Sequence, residues 1–524
     1  MKYKIAVCDH IHEDGINILA SCSDIELIDI SSLSFEEKLK KIENMHGLIT
    51  RSSTPVNETL LASAKELKSI VRAGVGVDNV DIDACSKRGI VVMNVPTSNT
   101  LAAVELTMAH MLSCVRNFVN CNVELKGGSW NRENWYGTEL YEKKLGVIGF
   151  GNIGSRVAIR AKAFGMNIVV YDPYIPTSKA TSLDMVYTDN FDDILGCDII
   201  TIHTPKNAET KNMIAKAELS KLGEHAILIN CARGGLVNEQ DLLEVLQSKK
   251  IKMAGIDVFN EEPANKHPFL ALDNTTTTPH VGANTLESQR RVGISAAGQI
   301  INAVKGIAYK DALNLPISDI PKDMQAYFDL SQKMGFFASL LTKSQPKIIR
   351  LEAMGNIKEH AEALLTFGTV GALRNMIDNV NHVNAQYVAT EKEITLEHTA
   401  KEQEGTFVNK LTLELICENR TVKISGTIFE GDIERIISID DFEVDVNPKG
   451  NMILFKNTDI PGVVGQLGDV LAKHGVNIAD MRLGRNKEKQ ALAIITTDEK
   501  MSPEILSEFK LIPACIALGY VELQ

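Results

Sequence analysis

His280, Glu262 and Arg233 are residues of the types that oxidation of a 2-hydroxy acid calls for. A base must take the hydroxyl proton, and histidine titrates near neutrality. His280 is the candidate, with Pro279 stiffening the approach to it. A carboxylate should orient that imidazole and stabilise its charged form, and Glu262 is available. A cation must bind the substrate carboxylate bidentately and polarise the forming carbonyl. Arg233, in the string Asn230-Cys231-Ala232-Arg233-Gly234-Gly235, suits that task. Singly, each residue is more often a surface ion-pair partner or a satisfied hydrogen-bonder. Their joint occurrence, in this order, points to chemistry.

A hydride acceptor is implied by a second pattern. Gly149-Phe150-Gly151-Asn152-Ile153-Gly154 follows the apolar stretch 145–148 and precedes a helical stretch, 155–164. Asp172 closes a second apolar stretch, 167–171. Strand, glycine turn, helix, strand and acid together are the context a dinucleotide fingerprint requires. The glycines allow a tight turn and close backbone approach, and the helix N-terminus faces a pyrophosphate with free N–H groups. Asp172 can accept hydrogen bonds from both ribose hydroxyls. Its charge would repel a 2′-phosphate, so NAD is expected rather than NADP.

These residues need a scaffold. Short apolar stretches at 4–8, 47–50, 69–73 and 89–94 alternate with helical ones, which predicts a doubly wound parallel sheet. A long helix is expected over 99–118, with Leu101, Val104, Met108, Met111, Leu112 and Val115 at helical spacing. After the fingerprint, the stretches 198–205, 226–235, 254–259 and 275–283 carry polar residues at the ends of apolar strands. In such a sheet those ends converge on the cofactor. The fold class is therefore α/β, two doubly wound Rossmann-like units with one inserted in the other. The expected boundaries are 1–97 with 282–316 for substrate and 98–281 for nucleotide. Residues 317–447 read as a separate α+β domain, and 448–524 follow the ferredoxin-like order βαββαβ.

The chain has 524 residues, too many for one core, so roughly three or four domains are expected. A net charge of −12 argues against nucleic acid as a main partner, while a local arginine cluster could still take an anionic small molecule. No apolar run approaches membrane-spanning length, and the N-terminus is no signal peptide. The nine cysteines form no C-x-x-C pair, so no metal site is expected, and a reducing cytoplasm is the expected compartment.

The strings 72–79, 149–154, 230–237, 257–263 and 279–283 closely resemble the D-isomer-specific 2-hydroxyacid dehydrogenases. The resemblance spans residues 4 to about 316. The chain as a whole is similar to the family's long branch, which adds an intervening domain and a C-terminal ACT domain. The stretches 451–455, 458–465 and 475–479 resemble that ACT segment. The resemblance implies NAD-dependent oxidation of D-3-phosphoglycerate to 3-phosphohydroxypyruvate, the first committed step toward L-serine. It supports Arg233, Glu262 and His280 as the catalytic set. It implies cofactor contacts from Val75, Gly149, Gly151, Asn152, Ile153, Gly154, Asp172, Thr204, Cys231, Ala232, Asp257, Gly282 and Ala283. Substrate contacts would come from Ser52, Gly74, Gly76 and Asn99. The phosphate needs further cations, and Arg51, Arg72 and Arg132 are available, with Arg51 favoured and Arg132 expected to act across a subunit boundary. Asp459 and Asn477 would border an effector site for L-serine. A homo-oligomer, dimer or tetramer, is implied. Two rival readings are a dehydrogenase of another D-2-hydroxy acid and an NAD-sensing corepressor-like binding protein.

Overall fold

A computed structural model describes residues 2–317, 320–342, 344–429 and 432–523. Among them the first sheet has five parallel strands: β1 (Tyr3–Val7), β2 (Ile25–Asp29), β3 (Gly47–Thr50), β4 (Ser69–Arg72) and β5 (Val91–Asn94), ordered β2-β1-β3-β4-β5. All residues of β3 and β5 are buried. Strands covered on both faces read as short unbroken apolar runs, which made these legible. β2 is not among the strands expected from sequence. It lies at the edge, where Glu26 and Asp29 are solvated and break the apolar pattern. The helix Leu286–Val304 returns to this sheet, and Val292, Ala296 and Ile300 share a core with Ile5, Val7 and Val71.

The second sheet is also parallel, with β6 (Lys144–Ile148), β7 (Asn167–Tyr171), β8 (Val186–Tyr187), β9 (Ile199–Ile202), β10 (Ile227–Asn230), β11 (Met253–Ile256) and β12 (Thr275–Thr277). Their order is β12-β11-β10-β9-β6-β7-β8. The chain winds outward from β6 in one direction and from β9 in the other, so the switch point lies between those two strands. The expected single helix over 99–118 ends sooner. It spans Thr100–Arg116, and Asn117 adopts a left-handed φ of 49° before a second helix, Phe118–Lys126. Leu101 and Leu112 are exposed, because the helix buries its alanine, threonine and methionine side instead.

A mixed sheet follows, with β13 (Ile348–Met354), β14 (Thr395–Lys401), β15 (Lys410–Ile416), β16 (Thr421–Phe429), β17 (Ile433–Ile439) and β18 (Phe442–Val446), ordered β14-β13-β15-β16-β17-β18. Helices Gln325–Thr342 and Ala361–Leu373 pack together over it. They approach so closely that a Cβ on Gly335 would lie 1.9 Å from the Gly368 carbonyl oxygen. The last sheet is antiparallel: β19 (Gly450–Thr458), β20 (Ile478–Arg485), β21 (Gln490–Thr497) and β22 (Cys515–Leu523), ordered β20-β21-β19-β22. With helices Val463–Lys473 and Pro503–Lys510 it completes the expected βαββαβ order.

Two partly buried imidazoles make stability acid-sensitive. Burial pushes His203 down to about 3 and His382 down to about 4 from 6.5. As pH falls below 6.5 the unfolded chain protonates these rings and the folded chain does not. Stability is therefore present above 6.5 and declines from there toward 4, by about 1.4 kcal/mol per pH unit per group. Denaturant midpoints at pH 7, 6 and 5 should fall in that order, and fall less in His382→Gln.

Candidate active site

The C-terminal ends of the two parallel sheets face a common cleft of about 750 Å³. From the first sheet it is lined by Arg51, Ser52, Arg72, Gly74, Val75, Gly76 and Asp78, and from the second by Arg233, Glu262, His280 and Ala283. Asn99, at the start of the connecting helix, also lines it, and its Oδ1 is buried without a hydrogen-bond partner among the described residues.

His280 Nδ1 lies 2.8 Å from Glu262 Oε2. Glu262 is itself fixed, its Oε1 accepting from the Phe259 N–H at 3.0 Å. This contact uses one ring nitrogen and leaves Nε2 for a substrate. The His280 backbone is left-handed, with φ 52°, a conformation costly for a residue with a side chain. It persists because its N–H donates to the Asp257 carbonyl at 2.8 Å. The buried Asp257 carboxylate also accepts from Val281 N at 2.8 Å and Gly282 N at 2.9 Å.

Three guanidinium groups share the cleft. Arg233 Nε pairs with Asp78 Oδ2 at 3.3 Å, a contact between the two α/β units. Gly76 leaves the room for it, since a Cβ there would lie 2.4 Å from Arg233 Nη2, and Gly74 does the same for Arg72 Nη1. Burial, then the charges of Arg233 and Arg51, push Arg72 down to about 10. Its Nε is buried with no hydrogen-bond partner among the described residues. Cations held together in this way favour an anion between them. Arg51 is held at its backbone, where its N–H donates to Asp9 Oδ2 at 2.6 Å. Asp9 also accepts from Thr54 and from Lys38 Nζ at 3.3 Å, and both Asp9 and Lys38 are buried. Neither Asp9 nor Lys38 was anticipated from sequence, and no local pattern marks them.

The glycine turn after β6 fits a dinucleotide. A Cβ on Gly154 would stand 2.0 Å from the Gly149 carbonyl oxygen, so only glycine permits this helix–strand packing. A Cβ on Gly151 would meet nothing within 4 Å, so the turn's outer side is open to a ligand. Asn152 and Ile153 lead into the helix Gly154–Ala163. Asp172, at the end of β7, accepts from the Phe150 N–H at 2.8 Å and the Tyr174 N–H at 3.0 Å, which aims its carboxylate along the turn. Thr204 follows β9, Cys231 and Ala232 follow β10, and Gly282 follows β12, all at the same strand ends.

Two sets of expected residues lie elsewhere. Arg132 sits on an exposed 3-10 turn, Arg132–Trp135, and does not line the cleft. Asp459 is paired with Arg485 at 3.1 Å, and Asn477 Nδ2 donates to Asp498 at 3.0 Å. Asp459 does not cap the following helix, whose N-cap is Gly462.

Family models match three stretches. The NAD-binding domain of the D-isomer-specific 2-hydroxyacid dehydrogenases matches residues 108–282, the D-3-phosphoglycerate dehydrogenase intervening domain matches 323–440, and the ACT domain matches 451–510. The chain is 35% identical over 520 residues to a D-3-phosphoglycerate dehydrogenase of Methanocaldococcus jannaschii, covering 97% of this chain and 98% of that protein. It is 33% identical over 528 residues to that of Bacillus subtilis, covering 99% and 100%. A solved D-lactate dehydrogenase of Aquifex aeolicus, complexed with NAD and lactic acid, is similar with a TM-score of 0.52 at 29% identity, over 58% of this chain and 96% of that one.

Proposed function

The chain belongs to the D-3-phosphoglycerate dehydrogenase family, and on that premise we propose that Arg233, Glu262 and His280 carry out its reaction. That reaction is the NAD-dependent oxidation of D-3-phosphoglycerate to 3-phosphohydroxypyruvate, on the route to L-serine. The observation that carries the residue assignment is one cleft with three guanidinium groups opposite a carboxylate-held imidazole. Initial rates with D-3-phosphoglycerate, D-glycerate and D-lactate test it. Preference for an unphosphorylated acid would make this a dehydrogenase of another substrate.

His280 Nε2 takes the proton from the substrate hydroxyl, and Glu262 stabilises the imidazolium that forms. Arg233 holds the carboxylate through its outward Nη hydrogens while Asp78 fixes its Nε and the Ala232 carbonyl accepts from its Nη1 at 2.7 Å. Arg51 receives the phosphate, with Arg72 beside it as the alternative, and Ser52 and Asn99 add neutral contacts. NAD, when bound, supplies the hydride acceptor. The chain's part is to hold the reacting carbon against it and to return the proton from His280 to solvent. The division into a substrate unit (1–97 with 282–316), a nucleotide unit (98–281), an intervening domain (317–447) and an ACT domain (448–524) belongs to the same reading.

Asp172 is the basis for NAD over NADP. Asp172→Ala should weaken NAD binding by about 1–3 kcal/mol, the scale of lost charge-assisted hydrogen bonds. It should also relax discrimination against NADP. Equal wild-type kcat/KM for the two cofactors would remove the assignment.

An ACT domain points to a small-molecule effector. The finer reading is L-serine, bound near Asp459 and Asn477 where copies of the chain meet. Asp459 must then exchange Arg485 for the ligand's ammonium group. Assembly is supported by exposed Phe118, Val123, Leu125 and Trp130 on the nucleotide unit. Serine titration should release heat and lower the initial rate, through a coupling of about 1–3 kcal/mol. Sedimentation of the same samples should show a dimer or larger. Asp459→Ala should abolish the heat, and binding without a rate change would leave a site but no control.

A further inference from the structure

His110 lies on the helix Thr100–Arg116, on the side packed against the second sheet, and is 2% exposed. Its Nε2 is 2.8 Å from Thr278 Oγ1. Thr278 Oγ1 in turn lies 2.6 Å from Asp257 Oδ1. A carboxylate can only accept, so the single hydroxyl hydrogen of Thr278 goes to Asp257. Toward His110 the hydroxyl must accept, which places the imidazole proton on Nε2. The other ring nitrogen, Nδ1, is buried without a partner among the described residues. A ring so placed stays neutral, and burial lowers its affinity for a second proton. Gly255 on β11 leaves the space for it, since a Cβ there would lie 3.1 Å from His110 Cβ and 3.2 Å from Nδ1.

The three groups form a directed chain in which the imidazole N–H donates to the hydroxyl and the hydroxyl donates to the carboxylate. Asp257 is the residue that grips the turn after β12. It accepts from Val281 and Gly282 through its side chain and from His280 through its carbonyl. That turn holds His280 at φ 52°. We propose that His110 is a positioning residue for the proton transfer, acting through Thr278 and Asp257 to hold the strained backbone of His280. Without the imidazole, the Thr278 hydroxyl has no donor on its far side and its rotor is no longer fixed. Asp257 then loses a preset partner, and the His280 ring samples orientations that miss the substrate hydroxyl. An error of this kind lowers turnover more than substrate binding, because the guanidinium groups are elsewhere.

The inference rests on His280 being the base. Wild type is first assayed to find its best 2-hydroxy acid. A failure with D-3-phosphoglycerate at that stage would fall on the proposed function and leave His110 testable on the better substrate. His110→Leu, His110→Gln, Thr278→Val and the double variant His110→Leu/Thr278→Val are then compared with wild type. Each of His110→Leu and Thr278→Val should lose about fivefold to tenfold in kcat, the size of one neutral hydrogen bond, with KM within about twofold. The double variant should lose no more than the worse single one, because both cut the same chain. His110→Gln, whose amide can still donate to Thr278, should recover most of the loss. Losses that multiply in the double variant would overturn the proposal. So would a lowered melting temperature with kcat intact in His110→Leu or, if that variant does not fold, an unchanged kcat in Thr278→Val.

Discussion

His280→Ala is expected to lower kcat by on the order of a hundredfold or more, with NAD binding retained. The methyl group cannot accept a proton, and among the described residues that line the cleft there is no other histidine. His110, which reaches the cleft residue Thr278 from behind the sheet, is buried and committed to it. NAD binding should persist because the glycine turn and Asp172 stand on β6 and β7, away from the turn after β12. Glu262→Gln should act differently. Its amide can still meet Nδ1, so turnover at high pH should survive. The imidazolium loses a counter-charge, however, so it is less favoured. The acid limb of kcat/KM, where His280 must shed its proton to serve as a base, should then move to lower pH. Near-normal turnover in His280→Ala would send the proton elsewhere and take the role of Glu262 with it.

The cleft was legible where short strings carry it. Arg233 and Glu262 follow the apolar strands β10 and β11, His280 follows the threonine strand β12, and strand ends in a doubly wound sheet meet the cofactor. The support beneath them was not. Lys38 stands among Glu36, Glu37, Lys40 and Lys41 and reads as one more solvated charge, yet it is buried against Asp9, 29 residues away. Asp78 was read only as part of a family string, because its pairing with Arg233 crosses from one α/β unit to the other. The fold shows the same division. Strands buried on both faces announce themselves, whereas β2, β17 and β18 carry charges within them and were missed. Helix periodicity showed that 100–116 is amphipathic but misjudged its buried side at Leu101 and Leu112.

The arginines should separate by the kind of loss they cause. Arg233→Lys is expected to reduce kcat/KM by about tenfold to a hundredfold for phosphorylated and unphosphorylated acids alike. An ammonium cannot keep Asp78 on one side and a bidentate carboxylate on the other. Arg51→Ala should instead cost the preference for D-3-phosphoglycerate over D-glycerate and leave D-glycerate turnover near wild type. Arg72 is the competitor for that role. Its side chain is the more deeply buried, its Nε has no partner among the described residues, and the repulsion of Arg233 and Arg51, which outweighs the pull of Asp78 and Asp9, is one a phosphate would relieve. The Arg51 side chain already donates to the His10 carbonyl at 3.2 Å. If Arg51→Ala keeps the phosphate preference and Arg72→Ala loses it, the phosphate belongs to Arg72. If both keep it, the anion is held from outside these two loops, and Arg132 of a second copy becomes the group to replace.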